Sequence, residues 1–566
     1  MVIARSSQVK DFLFLFLAWL SAAFGAHFLA GFFASTSPSL YHASFLALFF
    51  TVLVAVPVYF ALQVIGAYFQ KKEFSIAWPA LLALALVARF AYRVVEIGFS
   101  FPNLIQTDKV FLPEPLFVVY LVSASLALVV TWAIIFRLLT SPKPRLAPVK
   151  RLLQKYAPGL ILAGMFFIVY FVLATAFNRQ DFNTNNTFFA ADTNSWQRRL
   201  ADPAGHLMGM RSIHPLAFLV LRPIVSALSI FLSTEPFQAT LFMVALAGGM
   251  GIFLVWVFIH RLVSDPNHAT LFASLLGIST TSLLFNSLIE TYVFSGFFLI
   301  LFFVLLIRET RLHWLILNGL AVFGITISNI VQSLIGLFFT KLNIRTTFLF
   351  GLTVVLIAAA LNLAAQSLYP NSETFFNPAG LAEETQQYHA GTTPAEWLGR
   401  ANLISSDMFL FSIVAPQPFL LDYNRDGGGG LFPKFNFMLG ERSSGFVGLG
   451  NLAAWFWAGV LVAAVIAFIY SLRREKLSPT NRLALAFLGC LAFNFVFHFF
   501  YGFEPFLYAA NWTYALVLFA ALGLSSLAYH KDVQVALLLL LALLSLNNLS
   551  FLHFLMSGLA PYIPGT

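Results

Sequence analysis

Apolar runs of about 20 residues recur along this chain, separated by short polar connections, and a helix needs about that many residues to cross a hydrocarbon slab roughly 30 Å thick. The pattern predicts spans near 12–34, 44–69, 77–99, 115–139 and 158–177. Others fall near 345–366, 451–472, 483–501, 505–528 and 533–553, and residues 313–341 read as a short hairpin of two helices broken near Ser328-Asn329. The segment HPLAFLVLRPIVSALSIFLS (214–233) is interrupted by Arg222-Pro223 and reads as a helix lying at the outer interface. The expectation is an all-helical integral membrane protein of about fifteen spans.

Charge placement orients it. Lys and Arg concentrate in cytoplasmic loops of membrane proteins, and the basic connection SPKPRLAPVKRLLQK (141–155) is therefore inside, which sends residues 158–177 outward. The interfacial reading of 214–233 keeps RLVSDPNH, RETRLH and KLNIR inside as well. The N-terminus is then cytoplasmic and the C-terminus outside, in what reads as a bacterial inner membrane with the outer face periplasmic. The first apolar run is longer than the roughly 7–15 residues of a signal-peptide core, so it reads as an uncleaved span. Four regions result: an N-terminal four-helix domain (1–150), a module (151–366), an extracytoplasmic loop (367–450) and C-terminal helices (451–566). No internal repeat is visible.

Composition agrees. The chain is 60% hydrophobic and 10% charged, with 66 Phe in 566 residues, and its mean hydropathy is +0.85; a soluble globular fold is excluded. The net charge of +9 belongs to inner loops, not to a nucleic-acid surface. The one cysteine, Cys490, sits in an apolar run and rules out an internal disulfide or a thiolate cluster.

Against this background the run FNRQDFNTNNTFFAADTNSWQRRLADP (178–204) stands out, since it places Asp181 and Asp192 beside Arg198-Arg199 on the outer side. The same face receives Arg211, His214, Arg222, Glu290-Thr291-Tyr292 and FHFFYGFEPFLY (497–508), which holds His498 and Glu504. Charges at a bilayer are costly and often mark a substrate path.

The order of these pieces resembles the type C glycosyltransferases, in particular the family 39 group that contains the protein O-mannosyltransferases and the lipid A aminoarabinose transferase. In that group an acid in the first outer loop precedes two juxtamembrane helices, the second opened by His-Pro-Pro-Leu; here the matching positions are Asp192 and His214-Pro215-Leu216. Ile289-Glu290-Thr291-Tyr292 looks like the acid or arginine followed by tyrosine at the family's fourth span. The likeness covers residues 158–366. Where the family often has Asp-Glu, this chain has Asp192-Thr193, so one acid of the pair is missing.

The resemblance implies inverting transfer of a sugar from a polyprenyl-phosphate donor to an extracytoplasmic lipid, glycan or protein, with membrane lipids as surroundings and no obligatory cofactor. A carboxylate must deprotonate the acceptor hydroxyl, which makes Asp192 the expected base, with Glu290 and Asp181 as further candidates. Arginines suit a phosphate leaving group; Arg198, Arg199, Arg211 and Arg222 are candidates, with His214, Tyr292, His498 and Glu504 as substrate-binding residues.

Other readings stand beside these. Asp192-Thr-Asn-Ser is also a good helix-capping sequence. The arginines suit lipid headgroups, His214 suits an orienting cap, and His498, Glu504 and Tyr508 suit a structural hydrogen-bond cluster. Asp422, Asn424 and Asp426 have the spacing of half a calcium loop, with Pro433 where a bidentate Glu belongs, so a divalent cation competes there with a Gly-rich turn. As whole-protein alternatives, a non-catalytic membrane subunit in a larger complex and a lipid-linked-substrate transporter both remain. An outward cavity lined by Asp192, Glu290 and an arginine separates them from a transferase.

Overall fold

The computed structural model describes residues 2–70, 74–106, 110–140, 147–180, 183–388, 391–424, 431–439 and 442–563. Among them, nine helices are long and apolar enough to cross a membrane: Lys10–Ala34, His42–Ala67, Glu114–Thr140, Pro148–Phe177, Pro236–Val263, Ile344–Leu368, Leu449–Glu475, Pro479–Phe500 and Lys531–Tyr562. A tenth arises if Pro505–Asn511 and Thr513–Gly523, bent by 54°, form one broken span. The protein is thus a multi-pass helical membrane protein, as its hydropathy requires.

The difference from about fifteen lies in five other helices. Phe74–Phe99 carries Arg89, Arg93 and Glu96, while Pro266–Ile278, Tyr292–Ile307, Leu312–Ile325 and Ile330–Lys341 have only 13, 16, 14 and 12 residues. At 1.5 Å per residue, 16 residues reach about 24 Å, short of the slab. Apolarity located these helices, but their lengths are set by breaks that neighbouring elements satisfy. Residues Pro266–Ile278, for example, are buried throughout after Pro266 itself.

The expected break near Ser328-Asn329 is present: Thr326 is extended and a 3-10 turn, Ile327–Asn329, links the two short helices. Its backbone is not left unpaired. The Ile327 N–H donates to the Ile213 carbonyl at 3.2 Å, and the Leu216 N–H donates to the Gly324 carbonyl at 2.9 Å. Residues 214–233 form Ala217–Leu232, again 16 residues.

Residues 367–450 are not a simple loop. They contain the helices Pro378–Glu384 and Pro394–Ser406 and an antiparallel strand pair, Phe419–Asn424 with Leu431–Asn436. Phe435 is fully buried, stacked on Phe188 at 5.7 Å. The Phe189 N–H donates to the Phe435 carbonyl and the Phe435 N–H to the Thr187 carbonyl. This pairing ties the 367–450 segment to residues 187–189 and sets the walls of the site.

Candidate functional site

The polar run after the Ala147–Phe177 helix folds through side-chain hydrogen bonds to its own backbone, as Asn and Thr favour. Thr193 Oγ1 donates to the Thr184 carbonyl at 2.9 Å. Asn185 Oδ1 accepts from the Ser195 N–H at 3.0 Å, and its Nδ2 donates to Ser195 Oγ at 2.8 Å. Phe189 and Ala190 lie at φ 52° and 61°, positions that cost a side chain roughly 1–2 kcal/mol each; the bonds to Phe435 hold them there. The polypeptide is thereby delivered to the start of the Thr193–Ala201 helix in a fixed pose.

That pose decides between the two roles open to Asp192. It occupies the N-cap position of the helix, yet its side chain accepts no capping hydrogen bond. The N–H it would normally take, at the third helical residue, belongs to Ser195 and is already bonded to Asn185. Among the described residues nothing hydrogen-bonds the Asp192 carboxylate, and the residue is exposed. Surrounding protein raises its pKa above the usual aspartate value, and Arg211 and then Arg199 draw it back.

Glu290 lies in the non-helical turn between Thr280–Phe285 and Tyr292–Ile307, and Asn178 shapes that turn by accepting from the Ile289 N–H at 2.9 Å and donating to the Ser287 carbonyl at 2.7 Å. Glu290 is 2% exposed. It accepts from the Asp192 N–H at 2.7 Å and from the Thr291 N–H at 3.0 Å. Its carboxylate therefore positions the main chain of Asp192 and does not face open space. Burial, then the charge of Asp192, pushes its pKa up to about 8.

Two cations border Asp192. Arg199 lies 5.3 Å over the Trp196 ring, and its buried Nε has no hydrogen-bond partner among the described residues. Arg211 pairs with Glu384, Nη2 and Nε lying 2.6 and 3.1 Å from Oε1. His214 contacts Trp196 edge-on at 5.2 Å, and its Nδ1 lies 2.6 Å from the Ile325 carbonyl. Since that carbonyl only accepts, Nδ1 carries the proton; burial lowers the pKa to about 4, so the ring is neutral at pH 7.

Aromatic side chains pack beside this group. Tyr292 meets Tyr508 at 5.9 Å, His498 stacks on Tyr508 at 4.4 Å, and Tyr501 donates its hydroxyl to Glu384 Oε2 at 2.9 Å. A cavity of about 40 Å³ adjoins Tyr292, lined also by Asn286, Thr281, Gly248 and Gly296.

The structure thus brings together Asp192, Glu290, Arg199, Arg211, His214 and Tyr292, with His498 in the facing wall. Glu504 belongs to a neighbouring cluster, accepting from Asn436 Nδ2 at 3.0 Å; burial raises its pKa. Arg198 is exposed. Arg222 is used on the carbonyls of Arg199 and Asp202, at 2.6 and 3.2 Å, where it clamps the Ala217–Leu232 helix to the end of Thr193–Ala201. Asp181 lies outside the described residues.

Of the calcium-like spacing, Asp422 and Asn424 lie in the strand Phe419–Asn424, where Asp422 faces Pro433 across the ladder. Asp422 accepts from the Tyr562 hydroxyl. Asn424 ends the strand, and Asp426 lies outside the described residues. Among those described, no three His, Cys, Asp or Glu side chains group as metal ligands.

Sequence reasoning did not find Glu384, Tyr501 or Arg400. Glu384 is one acid in a polar stretch with nothing to distinguish it. Arg400 donates to the carbonyls of His498, at 2.7 Å, and of Tyr501, Gly502 and Phe503, anchoring the wall; an arginine among outer-loop residues was its only signal. No known protein family, curated protein or solved structure matches the chain, and the functional reading rests on this arrangement.

Proposed function

We propose that the protein is a membrane glycosyltransferase of the type C kind, moving a sugar from a polyprenyl phosphate to an acceptor hydroxyl on the outer side with inversion. The observation that carries this reading is the Asp192 carboxylate: it stands at a helix start, is relieved of capping by Asn185, is fixed through its own N–H by Glu290, and lies beside Arg199 and Arg211.

In the reaction the acceptor oxygen attacks the anomeric carbon, the bond from that carbon to the phosphate oxygen breaks, and the hydroxyl proton passes to Asp192. Inversion follows from a single displacement. The charge gained by the departing phosphate is met by Arg211 and Arg199, since guanidinium groups bind phosphate in fork geometry. His214, neutral and locked through Nδ1, presents Nε2 as an acceptor. Tyr292 and Tyr508, both half-buried, supply flat faces for a sugar ring, and His498 backs Tyr508.

The test is transfer by the purified protein from radiolabelled polyprenyl-phosphate sugars into membrane extract, wild type against Asp192→Asn. A base worth the usual 10²–10⁴-fold should be lost in the variant. Equal transfer by both would sink the base assignment, and no transfer from any donor would favour the non-catalytic subunit.

A further inference from the structure

Between residues 376 and 393 the long outer segment reaches the site through one side chain. From residue 376 to 393 the described side chains are exposed or half-buried, with a single exception: Glu384, at 5% exposure. Phe376 and Tyr388 on either side are 46% and 56% exposed. A segment anchored for stability alone would bury an apolar residue, because apolar burial is the larger and less exchangeable gain. This one buries a carboxylate, and inserts it between Arg211 and Tyr501.

The contacts are those an anionic ligand would make. Oε1 takes both Nε and Nη2 of Arg211, and Oε2 takes the Tyr501 hydroxyl. Arg211 Nη1 makes no hydrogen bond among the described residues, and the Arg211 side chain is still 40% exposed while that of Glu384 is 7%. The cation is therefore open on the side away from the glutamate.

The tethers are unequal. Upstream, residues 371–373 are fastened to 207–212: Asn371 Nδ2 donates to the Leu207 carbonyl at 2.6 Å, the Glu373 N–H to the Met210 carbonyl at 2.9 Å, and the Ser212 N–H to Glu373 Oε2 at 2.9 Å. Near Glu384 itself, the remaining ties are the Gly502 N–H to the Gln387 carbonyl at 2.9 Å and an isolated bridge between Tyr388 and Tyr501. The strap is fixed upstream at residues 371–373 and downstream at Arg400, and between those anchors it is held mainly by the Glu384 ion pair.

We infer that Arg211 and Tyr501 form the subsite for the ligand's phosphate, and that Glu384 is a built-in surrogate which a phosphate-bearing lipid displaces, releasing the strap. The inference rests on the transferase reading for the identity of that lipid, but its test reads binding and cleavage rather than transfer. It predicts that the resting protein holds its own anion in the phosphate position and opens only to a ligand carrying one.

The experiment uses the full chain in nanodiscs with farnesyl phosphate, farnesol and inorganic phosphate as probes, and two readouts. In wild type, chymotryptic cleavage at Phe376 and Tyr388 should accelerate several-fold with farnesyl phosphate, not with farnesol; inorganic phosphate at higher concentration should act likewise if the phosphate alone suffices. Direct binding of farnesyl phosphate should tighten at least five-fold in Glu384→Ala and weaken at least ten-fold in Arg211→Gln. Unchanged cleavage in wild type with all three probes would overturn the inference, as would weakening by Glu384→Ala equal to that by Arg211→Gln, which would mark the pair as structural. If competition holds while Asp192→Asn transfers as well as wild type, the base assignment fails and the subsite stands.

Discussion

Two α-helices among the described residues have an aspartate at the N-cap, and the two aspartates do different work. Asp265 opens Pro266–Ile278, is 2% exposed, accepts from the Asn267 N–H at 2.9 Å and from Gln534 Nε2 at 3.3 Å. Asp192 opens Thr193–Ala201 with an equally good capping sequence, yet its carboxylate caps nothing, because Asn185 bonds the Ser195 N–H first. One is saturated by its own structure and the other is kept available by a residue seven positions upstream. Capping sequence marks where a helix starts; whether the acid is free depends on what else reaches the helix end.

The comparison can be broken most forcefully by exchanging the costs. Asp192→Asn is expected to reduce transfer by 10²-fold or more with little change in apparent melting temperature in detergent, whereas Asp265→Ala should leave transfer nearly intact and cost about 2 kcal/mol of stability by removing a cap and orphaning a buried amide. Parallel activity and melting measurements on the two variants check this; similar profiles for both would erase the distinction.

A second variant turns one aspartate into the other. Asn185→Ala frees the Ser195 N–H, and Asp192 is the nearest group able to cap it, so transfer should fall about ten-fold while stability drops by roughly 1 kcal/mol. If activity is untouched, Asn185 is not what keeps the carboxylate free.

Glu290 sharpens the same point through pH. Its pKa is about 8 in the folded protein, against an ordinary value of 4.5. Between those values the folded state keeps a proton that the unfolded chain has lost, so this group's contribution to stability is full below pH 4.5 and is lost as pH rises toward 8. Glu290→Gln removes the titration, and its melting temperature should vary less than wild type's from pH 5 to 8, whatever its absolute value. Parallel curves would show that Glu290 does not titrate in that window.

The smallest effect is expected at Arg222, whose guanidinium holds two carbonyls. Arg222→Ala should cost about 1 kcal/mol of stability and change farnesyl phosphate affinity less than two-fold, in contrast to Arg211→Gln; a large loss of affinity would return Arg222 to the anion site.

These contrasts mark what the sequence could convey. Hydropathy located the helices, including the break near Ser328-Asn329, because apolar surface and helix-breaking residues are local signals. It did not give their lengths, since Tyr292–Ile307 and its short neighbours end where partners such as Asn178 and Ile213 satisfy the exposed backbone. Asp192, Glu290, Arg199, Arg211, His214 and Tyr292 were legible as unusual charges and motif positions, and they do converge. Their division of labour was not, because Glu290 as positioner and Asp192 as free acid depend on contacts across about 100 residues of chain. Glu384 was illegible altogether, since a polar residue in a polar segment carries no mark of the cation it will meet. The strand pairing of 419–424 with 431–436 was not legible either, since the Asp422 spacing is a local pattern and the pairing is not.

The central claim is that Asp192 is an uncapped base whose pKa lies above the usual aspartate value. Its most direct test is the pH dependence of kcat/KM for transfer, wild type beside Asp192→Asn. The account predicts an acidic limb in wild type, with activity falling as Asp192 is protonated at a pH above 3.8, and a small residual rate without that limb in the variant. The same limb in both proteins, or full activity in Asp192→Asn, would contradict it.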